Sequence, residues 1–475
     1  MTSTELSYFT NNDGSRGNSN LYAPPAPSVA GTACLLAGIA FAYSQYPTEE
    51  TATLMATVAA RVVGIAFAAS ILFDCQRGLR NLLRTDLLCI FGIYGLTLAE
   101  FLFPQDDFEG MTNPEQTALA ISITLIGLAA MAIGRHFTVS RPMSSSWLKL
   151  DDLSSQALFK VFIVSAFLGY LYMLLAVQFN PIALIDAMIG PRFTQPWGRG
   201  ALGGWKTLIN ELGLFSYIIP PLTGVIWNRR KDLLPLQVVV VLTLFSLTVF
   251  HSFSSGTRNV FVAHLATFSM GYLLTLDRNT LWNTLIPIML VGSVAVYGSY
   301  HMLEFRNMGL RNYVSDRVYA SGNNRGTLAV DYNLASIGWV ADAMPEDHAF
   351  LGRELLVWSL VKPIPRALWP GKPTGLSTSI EEIAGAEGWT VAVTYLGESY
   401  MMAGMFGVVA VSMFFGALAA WWNRMAMSQQ SDYALVVYAL GFFAAGITMR
   451  SMFWLTTAIL PVIALIVFRK LFSVR

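Results

Sequence analysis

Charged residues are scarce in this sequence. They make up 12% of its 475 residues, whereas hydrophobic residues make up 54%, and the mean hydropathy is +0.52. The formal net charge is only +1, so bulk electrostatics favour no charged partner, and no nucleic-acid partner is expected. Such a chain must bury or shield an unusual amount of apolar surface, which points towards a membrane.

Cysteine is also scarce, and several motifs are missing. The three cysteines, Cys34, Cys75 and Cys89, are odd in number and scattered, which predicts neither a disulfide framework nor a metal site. A glycine-rich nucleotide-binding loop is absent, so no cofactor is expected and the energy for any reaction must come from the substrate. Residues 1–28 lack the basic start of a cleaved signal peptide and are expected to form a flexible tail.

Long apolar runs are what the sequence has in abundance. Each of twelve windows is about as long as a bilayer is thick, which predicts an all-α polytopic membrane protein. The predicted spans are 29–46, 51–73, 86–104, 116–134, 157–179, 211–227, 235–253, 258–276, 281–302, 401–422, 433–449 and 451–468.

The short loops predict the orientation of these spans. Arg and Lys follow the second, fourth, sixth and last spans, whereas only acids follow the first and third. Because basic residues are retained in the cytoplasm, both termini are expected there. The chain then divides into a cytoplasmic tail (1–28), nine spans (29–302) with an outer loop at 180–210, a large outer loop (303–400), and three final spans with a short cytoplasmic tail (401–475).

The predicted outer side carries many cations, although Arg and Lys are usually enriched in the cytoplasmic loops of membrane proteins. One chemically specific reason for them is an anionic ligand, because the planar guanidinium group binds phosphate through paired hydrogen bonds. Long outer loops also escape the bias, and the same arginines suit ordinary ion pairs with Glu304, Asp316 or Glu354. The outer cations are Arg192, Arg199, Lys206, Arg258, Arg306, Arg311, Arg317, Arg325, Arg353, Lys362, Arg366, Lys372 and Arg450.

Three segments resemble a known family. They are GRELLVWSLVKPIPRALWPGKP (352–373), VTYLGESYMMAGMFGVV (393–409) and SSGTRNVFVAHL (254–265), and each is similar to a segment of the O-antigen polymerase (Wzy) family of oligosaccharide repeat-unit polymerases. A family pattern of Arg-x10-Gly in both outer loops is met by Arg192 with Gly203 and by Arg311 with Gly322. The resemblance covers mainly residues 250–410.

The resemblance implies a GT-C-like membrane glycosyltransferase in the bacterial inner membrane. Such an enzyme joins undecaprenyl-pyrophosphate-linked oligosaccharides into a surface polysaccharide or exopolysaccharide on the outer face. The oligosaccharide substrate and membrane lipid are then its partners, together with a chain-length regulator protein and a flippase.

The reaction requires cations near the departing diphosphate and a base near the acceptor hydroxyl. Glu398 is the favoured base, because it lies at the mouth of a predicted span. Arg311 and Asp316 complete the catalytic candidates, and Asp331, His301 and Glu304 are rivals for the base. The predicted substrate-binding residues are Arg192, Arg199, Arg258, Arg306, Arg317, Arg325, Arg366, Lys372 and Arg450.

Other readings remain open. The same cations suit an O-antigen ligase, and outer acids such as Asp106, Asp107 and Glu109 suit a metal-dependent transferase that uses a polyprenyl monophosphate. A flippase for lipid-linked glycans is a further class. Arg61, in the middle of the second span, fits a functional role and a structural pair equally well, and His251 and His264 are expected to be satisfied core histidines.

Overall fold

The computed structural model describes most of the chain. It covers residues 27–46, 51–76, 78–105, 107–138, 148–198, 207–276, 281–315, 332–366, 368–373, 375–383, 391–427 and 431–472. Over these residues the secondary structure is helical and contains no strand.

The first half of the described chain forms ten helices of five residues or more, apart from short 3-10 turns. They are α1 (Val29–Gln45), α2 (Ala52–Cys75), α3 (Thr85–Thr97), α4 (Pro114–Gly134), α5 (Ser155–Ala176), α6 (Pro181–Ile189), α7 (Thr207–Glu211), α8 (Ile219–Asn228), α9 (Pro235–Ser254) and α10 (Arg258–Leu274).

The second half of the described chain forms nine helices. They are α11 (Leu281–Met308), α12 (Leu310–Ser315), α13 (Asn333–Ala343), α14 (Arg353–Val361), α15 (Ile380–Ile383), α16 (Thr394–Met427), α17 (Asp432–Arg450), α18 (Leu455–Ala458) and α19 (Leu460–Phe472).

Nine helical segments in the described residues are long and apolar enough to cross a membrane, which makes this a multi-pass helical membrane protein. Each of the twelve predicted windows overlaps a helix, and the windows that miss the length criterion coincide with α1, α3 and α10. The helix starts follow local rules: Thr51, Asn113 and Ser154 each accept a hydrogen bond from a backbone N–H in the first turn of the following helix.

Two large hydrophobic clusters form most of the core of the described residues. The first joins α1–α4 to α13, α14 and α16, and the second joins α5 and α8–α10 to α19. Helix α17 contributes to both, since Met449 lies in the first cluster and Tyr433 in the second. The C-terminal helices therefore tie the two halves together.

Part of the predicted large loop is core. Helix α13, within the predicted loop 303–400, is buried along most of its length, and its Gly338 lies against the backbone of Gln116 in α4. The predicted span at 401–422 contains a break at Ala403 and Gly404, so most of it coincides with the part of α16 that follows this break.

Helix α16 is folded back on itself. Ala403 and Gly404 have non-helical backbone angles, and Gly404 has φ +60° and ψ −149°, a conformation essentially restricted to glycine. We call residues 394–402 the first arm and residues 405–427 the second arm. The backbone N–H groups of Leu351 and Gly352 donate to the carbonyls of Met401 and Met402, at 2.8 and 3.0 Å. These bonds give partners to two carbonyl groups at the C-terminal end of the first arm, which have none within the helix.

Candidate functional site

The two predicted outer loops meet at Arg311. Its guanidinium group pairs with the carboxylate of Asp186 in α6, 125 residues away in sequence. Both side chains are more than half exposed, at 56% and 57%. They line a cavity of about 280 Å³ together with Ala187, Ile189, Gly190, Pro191, Thr194, Met308 and Asn312.

The local sequence explains why this contact forms. Asn180 accepts hydrogen bonds from the N–H groups of Ile182 and Ala183, and Pro181 occupies the first turn, so α6 begins there. At the corner between α11 and α12, Gly309 has φ +84°, and a Cβ on it would lie 2.7 Å from the carbonyl carbon of Gly190. Only glycine allows this close approach between the loops.

Arg192 and Arg258 are each the first residue of a helical segment. Arg192 begins a 3-10 turn directly after the cavity residue Pro191, and its guanidinium carbon is 5.9 Å from the ring centroid of Phe193. Arg258 is the first residue of α10. The predicted substrate-binding role of these two arginines stays a prediction.

Lys372 and Arg366 hold a compact loop. The Lys372 ammonium donates to the carbonyls of Lys362 and Ile364 at 2.7 and 2.9 Å, and Arg366 donates to the carbonyl of Pro373 at 3.1 Å. Partial burial lowers the pKa of Lys372, Arg366 lowers it further, and Glu211 opposes the shift. The described residues of the KPIPRALWPGKP segment, 362–366 and 368–373, are therefore folded together, and Glu211 of α7 lies close enough to Lys372 to affect its pKa.

Glu398 lies in the first arm of α16 and is 2% exposed. One carboxylate oxygen accepts the hydroxyl hydrogen bond of Ser451, and the other accepts the N–H of Met452 at 2.6 Å. The Ser451 hydroxyl and the Met452 backbone N–H thereby gain hydrogen-bond partners at the point where α17 ends and the next 3-10 turn begins. In this conformation both oxygens of the predicted base are engaged by the protein.

A cation stands beside this carboxylate. The Lys362 ammonium lies 5.2 Å from the ring centroid of Phe453 and 4.6 Å from that of Trp454, and it interacts electrostatically with Glu398. Arg450, a predicted substrate-binding residue, directly precedes Ser451. Lys362 was not singled out from the sequence, where it is one cation among many in a long loop.

Several predicted residues lie outside the described part of the chain. These are Arg199, Asp316, Arg317, Arg325 and Asp331, together with the side chains of Glu304 and Arg306. The rival base His301 is described: its Nδ1 lies 3.1 Å from the hydroxyl of Tyr313.

The structure contains a buried ionic network that was not predicted from the sequence. Arg84 donates from Nε and Nη2 to the two carboxylate oxygens of Asp86, at 3.0 Å each. Arg135 lies 3.7 Å from both Asp74 and Asp86, and all four side chains are at most 1% exposed. Asn423 of the second arm also donates to Asp86. Arg84 and Arg135 follow predicted spans and resemble ordinary loop cations, so charge counting gives no sign of their burial.

His264 and His251 have ring nitrogens without hydrogen-bond partners. His264 is buried and packs against Tyr217, with ring centroids 5.2 Å apart, but neither ring nitrogen has a hydrogen-bond partner. The Nδ1 atom of His251 also lacks one. The prediction of a satisfied core histidine is therefore wrong for the hydrogen bonding of His264, although His264 does lie in the core. For His251, only the Nδ1 atom contradicts the prediction.

Metal-ligating side chains do not gather in the described residues: no group of three or more His, Cys, Asp or Glu is close enough to hold an ion. Glu109, one of the acids considered for a metal, instead accepts the N–H of Thr53 at 2.7 Å in the first turn of α2.

Comparisons with known proteins find a family match for part of the chain. Residues 337–472 match a domain of unknown function, DUF8712, and this stretch includes α14, the folded helix α16 and the Glu398–Ser451 contact. No curated protein and no solved structure matches the sequence.

Proposed function

We propose that this protein is a polymerase of the bacterial inner membrane that joins undecaprenyl-pyrophosphate-linked oligosaccharide units on the outer face. Twelve spans, cytoplasmic termini and outward loops at 180–210 and 303–400 belong to the same proposal. Its partners would be the lipid-linked substrate, a flippase that supplies it and a regulator of chain length. The family resemblance supports this function, and the charge distribution is in accord with it.

The observation that carries the proposal is the cavity at Arg311. A cation from the second predicted outer loop lines a cavity whose other wall is the first predicted outer loop, although the two are over a hundred residues apart. Its volume, about 280 Å³, is just below the roughly 300–1,000 Å³ typical of small-molecule pockets. The cavity suits a phosphate or diphosphate group better than a whole oligosaccharide.

The electrostatics of the cavity suit a departing diphosphate. An exposed ion pair such as Arg311–Asp186 contributes only about 0–1 kcal/mol, so a more highly charged anion can compete for the guanidinium group. As the glycosidic bond breaks, negative charge grows on the diphosphate, and a fixed cation stabilises that charge. Arg192, adjacent to the cavity wall, would contribute in the same way.

The acceptor hydroxyl needs a base. In the proposed step its oxygen forms the new glycosidic bond, the bond to the diphosphate breaks, and the hydroxyl proton passes to a carboxylate. Glu398 remains the proposed base, and for this role one oxygen must be released by Ser451 or Met452. Asp316 is the alternative base.

Purified protein in nanodiscs should lengthen a lipid-linked repeat unit without added nucleotide or metal. Arg311→Gln is expected to lower the elongation rate roughly 100-fold or more, as loss of one transition-state donor does. Lys231→Gln, which removes an exposed cation at the predicted opposite face, is the matched control and should retain the rate. Equal rates in wild type and Arg311→Gln would contradict the proposed site.

The same assay separates the related enzymes. Transfer of a finished glycan to a different lipid indicates a ligase. Use of a polyprenyl monophosphate, with activity lost on adding a chelator, indicates the metal-dependent transferase.

One observation favours a second candidate, a flippase for lipid-linked glycans. Discontinuous helices at membrane depth are a recurring feature of transporters, and α16 reverses direction at Gly404. Movement of a labelled substrate between leaflets without elongation would favour the flippase, whereas longer glycans favour the polymerase.

A further inference from the structure

Arg61 lies on the side of the membrane-spanning helix α2 that faces away from the described part of the protein. It is exposed, near the middle of α2, on the face that also exposes Leu54, Ile65 and Leu72. Ile65 is 73% exposed, so this face is not covered by the described part of the chain. Among the described residues, Arg61 has no ionic partner.

The depth of Arg61 follows from its apolar neighbours. Leu54 and Leu72 are 18 residues apart, which corresponds to about 27 Å of helix, close to the roughly 30 Å thickness of the hydrocarbon layer. With the edge of that layer placed at Leu54, Arg61, seven residues further on, lies about 10 Å inside it. A charge at this depth normally faces a polar cavity or a partner, because exposure to lipid is costly.

A lipid phosphate would be a poorer partner for Arg61 than a carboxylate at the same depth in the membrane. The Arg61 side chain leans towards the N-terminal end of α2, but an arginine side chain is shorter than the about 10 Å that separates it from Leu54. An anion within the membrane, such as a carboxylate on a helix, fits the position of Arg61 better.

A second copy of this protein does not provide that carboxylate. Over the described part of the apolar helices, every acidic residue except Glu398 lies in a first or last turn, and Glu398 is 2% exposed in the core. The acids are Asp74, Asp86, Glu115, Glu211, Glu398 and Asp432.

We propose that the Leu54–Arg61–Ile65–Leu72 face of α2 binds a membrane-embedded helix of a different protein, which carries an Asp or Glu level with Arg61. The small side chain of Ala68 is exposed on the same stripe, and Thr57 lies half-buried one turn before Arg61. Small residues such as these let a second helix approach closely. This interaction is independent of the reaction proposed above and would hold for a polymerase or a flippase.

Site-specific photocrosslinking tests this. The change Ile65→p-benzoylphenylalanine, made in cells of the source organism, is expected to give a covalent adduct with one other membrane protein. Arg61→Leu in the same chain should abolish that adduct. Val164→p-benzoylphenylalanine, on the exposed face of α5, is the matched lipid-facing control and should give no such adduct.

Peptide sequencing of the adduct then decides the chemistry. The crosslinked helix should contain an Asp or Glu, and exchanging the charges, with Arg61→Asp in this chain and Arg in place of that acid, should restore the adduct. Adducts with lipid only, with the same chain or with a second copy would overturn the proposal. So would a protein adduct that persists in Arg61→Leu, or a helix without an acid.

Discussion

The hydroxyl oxygens of Tyr395 and Ser412 lie 3.0 Å apart, although 17 residues separate them within α16. A continuous helix would hold them about 25 Å apart. The first arm therefore runs back along the second, and a Cβ on Gly407 would lie 2.2 Å from the carbonyl oxygen of Ser399. This fold places Glu398 in the core beside the turn that follows α17.

Gly404 should be essential for this reversal. Its positive φ is strained for any other residue, and a Cβ would lie 3.0 Å from the ring of Phe350, so Gly404→Ala is expected to cost about 1–3 kcal/mol. Gly292→Ala, at a helical site with open space around it, should be neutral or stabilising. The fraction of folded protein after heating in detergent measures both. Equal loss in the two variants would contradict the reversal.

The buried ionic network should be sensitive to removal of one charge. Asp86→Ala leaves Arg84 and Arg135 without their shared carboxylate and is expected to cost about 3–5 kcal/mol. Asp186→Ala, which breaks the exposed pair with Arg311, should cost no more than about 1 kcal/mol. Denaturant titration measures the unfolding free energy of both variants. Similar losses of unfolding free energy would show that the network is not desolvated.

The Glu398 contacts predict a structural effect separate from any catalytic one. Glu398→Gln places an amide NH₂ opposite a hydrogen-bond donor and is expected to lower the unfolding free energy by about 1–3 kcal/mol. Ser451→Ala removes one donor and should cost less. If Glu398 is also the base, Glu398→Gln will lose elongation activity far beyond Ser451→Ala when both are assayed as folded protein. Parallel losses would restrict Glu398 to the structural role.

Glu109 gives a pH dependence outside the spans. Its slight burial acts to raise the pKa, but hydrogen bonds from Thr53, Thr51 and Ala52 outweigh this and hold the pKa below its ordinary value. The folded state therefore gains stability from the charged form above the unfolded pKa, about 4.3, and loses it as the pH falls through the lower folded value. Melting curves from pH 7 to 3 should show a smaller acid loss for Glu109→Gln than for wild type. Glu115→Gln, an exposed acid in the first turn of α4, is the control.

The unpaired imidazole of His264 predicts an unusual outcome. A buried polar group without partners reduces stability, so His264→Phe, which retains a ring beside Tyr217, should leave the thermal midpoint unchanged or higher. Tyr170→Phe, which removes a buried 2.8 Å hydrogen bond to Thr248, should lower the unfolding free energy by about 1 kcal/mol. A marked loss in His264→Phe would show that the imidazole has a partner in solution.

The sequence predicted the helices better than it predicted the site. Each window of apolar residues overlaps a helix, because hydrophobic length is a local property of the sequence. Arg311 was selected for its charge, and the structure adds its cavity and Asp186, which no spacing rule connects to it. Glu398 was selected because it precedes a predicted span, and the structure adds its contacts with Ser451 and Met452, which are more than fifty positions away in the sequence.

Composition and the periodic apolar runs alone determined that this is an all-helical, multi-pass membrane protein, because the bilayer imposes its thickness on every span. Only the tertiary structure decided which charges are buried, where α16 turns back, and that Arg61 faces outward. Those outcomes depend on the packing of distant helices against one another, and a charged residue has the same local sequence signal whether it faces lipid, water or another charge.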